Sequence, residues 1–227
     1  MENELKATIA LILIAFVIGA YTYAMLPAQV ADHWDLSGAA NGYGSAAFGA
    51  FFFPALMVLL LAIFLIIPVI DPLRANIETF RGYYYGFVLV VTGFFFIVFL
   101  QAILWNLGTM VSFTLTLPIL LGCLFFYAGI LVGKTKRNFF IGVRTPWTLA
   151  NDKVWDRTNK LGAKVFKALG IIFILSVLLP AYSIAIIAGL VVAAAVGLIL
   201  YSYVEFARLT KKTWKRRRKR KTSQEEA

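Results

Sequence analysis

Asp32, His33 and Asp35 place three side chains able to hold a metal or carry a proton within four residues, and His33 is the single histidine of the 227-residue chain. Two chemistries could come from such a set. Zinc accepts Asp and His, but its structural sites use four protein ligands, and three sequence neighbours rarely converge on one ion. A histidine oriented by a carboxylate can act as a general base. No nucleophile stands at a recognisable spacing, however: GxSxG is absent, and HExxH needs a second histidine. The better reading is a hydrogen-bonded histidine that orders its loop, with no catalytic residue and no cofactor.

That loop reads LPAQVADHWDLSGAANGYGS, residues 26–45. Pro27 stops a preceding helix, and Asn41-Gly42 favours a tight turn with positive φ, so a shaped segment with a small hairpin is expected. Trp34 and Tyr43 suit the headgroup region of a bilayer, where a ring is half buried and half wet.

The elements that carry this loop are apolar. Hydrophobic residues make up 61% of the chain, which places it among membrane proteins. Six apolar runs appear near 5–25, 46–70, 83–105, 110–133, 165–179 and 182–204. A helix of about 20 residues crosses the ~30 Å hydrocarbon core, and the fifth run reaches that length only if its helix begins among Gly162 to Lys164. The first run follows Glu2 and Glu4 rather than a basic region, so it reads as a retained anchor, not a cleaved leader. An all-α bundle of six transmembrane helices in the plasma membrane is predicted. The single Cys123 excludes an intramolecular disulfide.

Charge sets the expected topology. The 22 Lys and Arg residues are Lys6, Arg74, Arg81, nine between Lys134 and Lys167, and ten from Arg208 to Lys221. Loops 26–45, 106–109 and 180–181 have none. With six spans every basic group falls on one side, which the positive-inside rule makes cytoplasmic, with both termini inside. The run KKTWKRRRKR at 211–220 reads as an anchor for the last helix on anionic lipid, with no direct nucleic-acid role. TSQEEA after it reads as disordered. Residues 46–70, 83–105, 110–133 and 168–204 hold no Asp, Glu, Lys, Arg or His, which argues against ion coupling. Gln101 and Asn106 are expected to bond a neighbouring helix or the interface. Ala185, Gly189, Ala193 and Gly197, four apart, line one face of the last span; packing on the chain's own helices is preferred to a homodimer contact.

The second large connector, 134–164, divides in two. Pro146 disfavours helix at Thr145, so the KTKRNFFIGVRTPW half is expected to be extended or turning, with Arg144 as a clamp on carbonyls or phosphates. Asn151 is a good N-cap for a helix beginning at Asp152. From there Lys153, Arg157, Lys160, Lys164 and Lys167 fall within about 40° of one direction, and Val154, Leu161, Val165 and Leu169 lie roughly 80° to 160° away. This reads as an amphipathic helix lying in the interface before the fifth span, its basic stripe facing lipid headgroups or an acidic partner.

NFFIGVRTPWTLANDKVWDRTNKLG, 138–162, resembles the signature of the SdpI family of bacterial membrane immunity proteins. There a basic N-(F/Y)-F-x-G-(I/V)-R-T-P-W-T-L segment precedes Val-Trp and a Thr-(His/Asn) pair. The matching positions are Asn138, Phe140, Gly142, Arg144, Thr145, Pro146, Trp147, Trp155, Thr158 and Asn159. Loop 26–45 is similar to the His-Trp…Asp-Gly-Tyr-Gly-Ser loop of the small domain that often precedes that signature. Ala31 and Asp32 replace its usual Pro-Thr, and Ala46 its Lys.

The resemblance implies units at 1–82 and 83–204, and a basic, disordered cytoplasmic tail, 205–227, is expected after them. It also implies protection against a secreted toxic peptide and recruitment of a transcriptional repressor to the membrane. Asp32, His33, Trp34, Asp35, Asn41, Gly42 and Tyr43 would then meet the peptide. The Arg144–Trp147 segment with Lys153, Arg157 and Lys160 would meet the cytosolic partner. A transporter or channel for an apolar or peptide solute is the alternative, which six charge-poor helices permit.

Overall fold

The structure, a computed structural model, describes residues 2–35 and 37–225, with side chains through Lys211. Helix α1 (Glu2–Tyr23) leads into a hairpin of β1 (Gln29–Trp34) and β2 (Ala40–Ser45). Then come α2 (Ala46–Ile70), the short α3 (Arg74–Glu78), α4 (Arg81–Asn106), α5 (Phe113–Val132), the short α6 (Pro146–Ala150), α7 (Asp152–Leu175) and α8 (Ser183–Glu225). Among the described residues, six helices are long and apolar enough to cross a membrane, so this is a multi-pass membrane protein. Apart from the hairpin it is helical.

Helices α1, α2 and α4 pack together around Ile12, Ala15, Ala50, Met57 and Phe99. On the other side of α4 stands α5, which pairs closely with α7, and α8 packs on α7. Lipid offers no hydrophobic drive for helices to associate, so close backbone approach must hold them. The α5–α7 pair meets this need with glycines. A Cβ on Gly122 would lie 2.7 Å from the Gly170 carbonyl oxygen, and one on Gly170 would lie 2.6 Å from that of Gly122.

The small-residue stripe of α8 does not play this part. Ala185, Gly189, Ala193 and Gly197 are all exposed, and a Cβ at either glycine would meet nothing. The packing on the chain's own helices expected there is corrected: close approach lies between α5 and α7 instead.

Two further expectations change. The amphipathic stretch and the fifth span are one uninterrupted helix, Asp152–Leu175, rather than an interfacial helix followed by a span. The physical cause is the apolar side of that stretch: Val154, Trp155 and Gly162 are buried in protein instead of facing lipid. Residues 205–225, expected as a disordered tail, continue α8 to Glu225, in keeping with the good helix propensity of Lys, Arg, Gln and Glu. Side chains of the basic run beyond Lys211 lie outside the described residues.

Candidate functional site

Polar side chains gather at the two ends of the bundle. At one end lies the hairpin. Its turn falls at Asp35–Ala39, not at Asn41-Gly42, which sit inside β2 and have no positive φ. The reason is the Asp35 side chain: Oδ1 accepts from Ser37 N–H (2.8 Å), Ser37 Oγ–H (2.6 Å) and Ala39 N–H (3.1 Å). Gly38 supplies the positive φ of 85°. Such an aspartate mimics a backbone turn and outcompetes Asn-Gly for the reversal. The Ser37 hydroxyl first, then the loop amides, hold the Asp35 carboxyl below its usual range.

His33 Nδ1 is hydrogen-bonded to Asn41 Oδ1 across the strands, so it orders the hairpin as expected. Asp32, His33 and Asp35 do not converge, and no group of three metal-ligating side chains forms among the described residues. Tyr43 projects outward, 63% exposed. Trp34 instead turns inward, with its ring 4.3 Å from that of Phe113 and 5.8 Å from that of Trp105.

The hairpin is fastened to α4 by Asn106. Its Oδ1 accepts from Ala31 N–H (2.7 Å), while Nδ2 donates to Ala31 O (3.0 Å) and Ala102 O (2.9 Å). Gln101, one turn earlier, donates to Val111 O and accepts from Thr116. Both side chains bond neighbouring elements, as their position near the end of a span suggests.

The opposite end is built from residues 134–159. Asn138 is fully buried. Its Nδ2 donates to Lys136 O and Ile141 O, and its Oδ1 accepts from Phe140 and Ile141 N–H. All four hydrogen-bonding positions of the amide are therefore used. Asp71, at the end of α2 and 2% exposed, accepts from Phe139 N–H with one oxygen (2.8 Å) and from Leu73 N–H with the other (2.6 Å). Arg144 clamps the Phe139 carbonyl.

Gly142 has φ 117°, and a Cβ on it would lie 2.7 Å from Asn159 Oδ1 and 3.2 Å from Trp155. Asn159 takes that space with a purpose: Oδ1 accepts from Val143 N–H (2.7 Å) and Nδ2 donates to Trp155 O. Trp155, 1% exposed, donates its indole N–H to Thr135 O. Thr145 is extended, as Pro146 requires, and then caps α6 in a reciprocal box with Thr148. Pro146 stands at the first helical position, where its missing N–H costs nothing. The segment after Thr145 is thus a short helix rather than extended chain.

Helix α8 closes this end. Thr145 Oγ lies 3.0 Å from Ser202 Oγ, and the rings of Trp147 and Tyr203 meet edge to face at 5.2 Å. Arg157 pairs with the buried Glu205 at 2.6 Å. Arg157 is therefore already committed within the chain, whereas Lys153, Lys160 and Lys164 point outward.

The model of the SdpI/YfhL protein family matches residues 134–202, from the end of α5 through Ser202 of α8. Over that stretch the chain is similar to the SdpI/YfhL protein family. The model of DUF1648, a domain of unknown function, matches residues 10–58, from within α1 through the hairpin to half of α2. The chain is also 26% identical over 203 residues to a Bacillus subtilis (strain 168) protein named Immunity protein SdpI, covering 89% of this chain and 95% of that one. No solved structure matches.

Within the SdpI/YfhL region, Asn138, Gly142, Thr145, Trp155 and Asn159 form one connected cradle, and Thr158 is buried beside it. Phe140 packs on the core formed by Ile77, Phe80 and Tyr84. Missed from sequence were Asp71, Thr148, Ser202 and Glu205. Each is polar and buried, and for Asp71 and Glu205 a carboxylate at the edge of an apolar run was the available signal.

Proposed function

We infer that this chain is a non-enzymatic immunity and signal-transduction protein of the plasma membrane. The hairpin end faces outward and meets a secreted toxic peptide. The SdpI/YfhL cradle, both termini and the basic groups face the cytoplasm, where Lys153, Lys160 and the Arg144–Trp147 segment receive a cytosolic repressor. Orientation follows from charge: the hairpin end bears no Lys or Arg, and the opposite end bears them all.

The observation that carries the reading is the match along nearly the whole chain to Immunity protein SdpI. It is supported by the placement of the two matched regions, one containing the hairpin and the other the cradle. The hairpin has a fixed shape, tied by Asn106 and turned by Asp35, as a surface that recognises a peptide from outside requires.

The test is survival of cells with the gene deleted and restored, challenged with the toxic peptide secreted by their own population. Restored cells should survive and deleted cells should die; equal survival would overturn the immunity role. Replacing Lys153 and Lys160 by Ala should release the repressor from the membrane while leaving protection intact, and unchanged recruitment would remove those residues from the docking surface.

A further inference from the structure

Between the hairpin, the start of α2 and the end of α4 lies a cleft of about 340 Å³. Its wall is aromatic: Phe48 and Phe52 stack at 4.6 Å, and Phe53 meets Phe52 edge to face at 5.3 Å. Trp34 and Asp32 line it from β1. The volume is at the small end of ligand sites and fits one or two side chains, not a folded domain.

The carboxylate of Asp32 is exposed at this cleft. It lies across β2, where a Cβ on Gly44 would come within 2.6 Å of Oδ2 and one on Gly42 within 3.0 Å of Oδ1. Glycine at both positions is what lets it rest there. Unlike Asp35, it makes no hydrogen bond or ion pair with any described residue. The indole N–H of Trp34 is buried and also has no partner among the described residues. The chain has no Lys or Arg between 7 and 73, so it supplies no cation of its own from the hairpin or α2.

We propose that this cleft takes a lysine or arginine side chain flanked by apolar residues, presented by a peptide. The methylene stem lies against Phe48 and Phe52, the cationic head meets Asp32 and the aromatic faces, and the Trp34 N–H donates to a peptide carbonyl. A charged acceptor beside aromatic faces recognises a cation with an apolar body better than either an anion or a plain hydrocarbon. This rests on the reading that the hairpin end meets a peptide, and narrows the peptide to one with a cationic residue in an apolar stretch.

The experiment uses the full chain in phosphatidylglycerol nanodiscs, with acetyl-Leu-Lys-Leu-amide and acetyl-Leu-norleucine-Leu-amide as probes, read by calorimetry. The lysine peptide should bind about tenfold more tightly than the norleucine one. Asp32→Asn, which removes no intramolecular bond, should bring the ratio close to one, and Phe52→Ala should weaken both peptides. Equal affinities for the two peptides, or a preference that survives Asp32→Asn, would overturn the proposal. So would loss of the lysine-peptide signal when phosphatidylethanolamine replaces part of the lipid, because a lipid amine would then be the occupant. If deleted cells die and cells carrying Asp32→Asn remain fully protected, the cleft is wrong and the immunity role stands; if deletion changes nothing, the immunity role itself fails.

Discussion

Asn106 of α4 holds Ala31 of the hairpin by both of the latter's backbone groups, accepting from its N–H at 2.7 Å and donating to its carbonyl at 3.0 Å. Ala31 is 5% exposed, so water cannot take over either bond. The side chain amide thus acts as a third strand one residue long.

Replacing Asn106 by Leu leaves both groups buried and unpaired, at about 1–3 kcal/mol for each. Thermal unfolding in detergent should fall accordingly, and the Ala31 amide should lose its protection from hydrogen exchange. Retained protection of Ala31 would mean that the clip does not hold the hairpin.

Glu205 and Arg157 tie α8 to α7. Glu205 is 6% exposed and Arg157 54%, so the pair falls between the exposed and buried cases. A double-mutant cycle with Glu205→Gln and Arg157→Gln should return a coupling of about 1 kcal/mol, discounted for the solvent at Arg157. Additive effects of the two changes would contradict the tie.

Gly142→Ala combines a positive φ with a Cβ 2.7 Å from Asn159 Oδ1. It should cost more than about 1 kcal/mol, and it should open residues 138–145 to limited proteolysis by displacing the Asn159–Val143 bond. Wild-type resistance there would show that the backbone accommodates the methyl group.

The Asp35 carboxyl titrates below its usual 3.8 because the folded turn donates to its charged form. A depressed folded pKa gives stability that is complete above the unfolded value and is lost as pH falls through the folded one. The hairpin turn should therefore be unaffected from neutral pH down to about 5 and loosen below about 4. Amide exchange of Ser37 and Ala39 should report this, and Asp35→Asn should remove the dependence.

Six spans and the hairpin were legible because each leaves a local mark. Apolar runs give length, Pro146 gives an extended Thr145, and Asn151 gives a cap. What escaped depends on distant partners. The α5–α7 contact rests on Gly122 and Gly170, which are 48 residues apart and follow no short repeat. The stripe of α8 has the regular spacing, yet a Cβ at Gly189 or Gly197 would meet nothing among the described residues. The turn was misplaced because Asn41-Gly42 is the stronger dipeptide, while the Asp35 side chain forms more bonds in the folded chain. Asp71 and Arg157 find their partners 68 and 48 residues away.

The proposed role requires the hairpin and the signature cradle to face opposite compartments, with the hairpin outside. In a Cys123→Ser background, Ser37→Cys and Lys160→Cys can be treated on intact cells with a membrane-impermeant maleimide. Labelling of Ser37→Cys without lysis, and of Lys160→Cys only after it, is the expected result. Labelling of Lys160→Cys on intact cells, with Ser37→Cys protected until lysis, would contradict it.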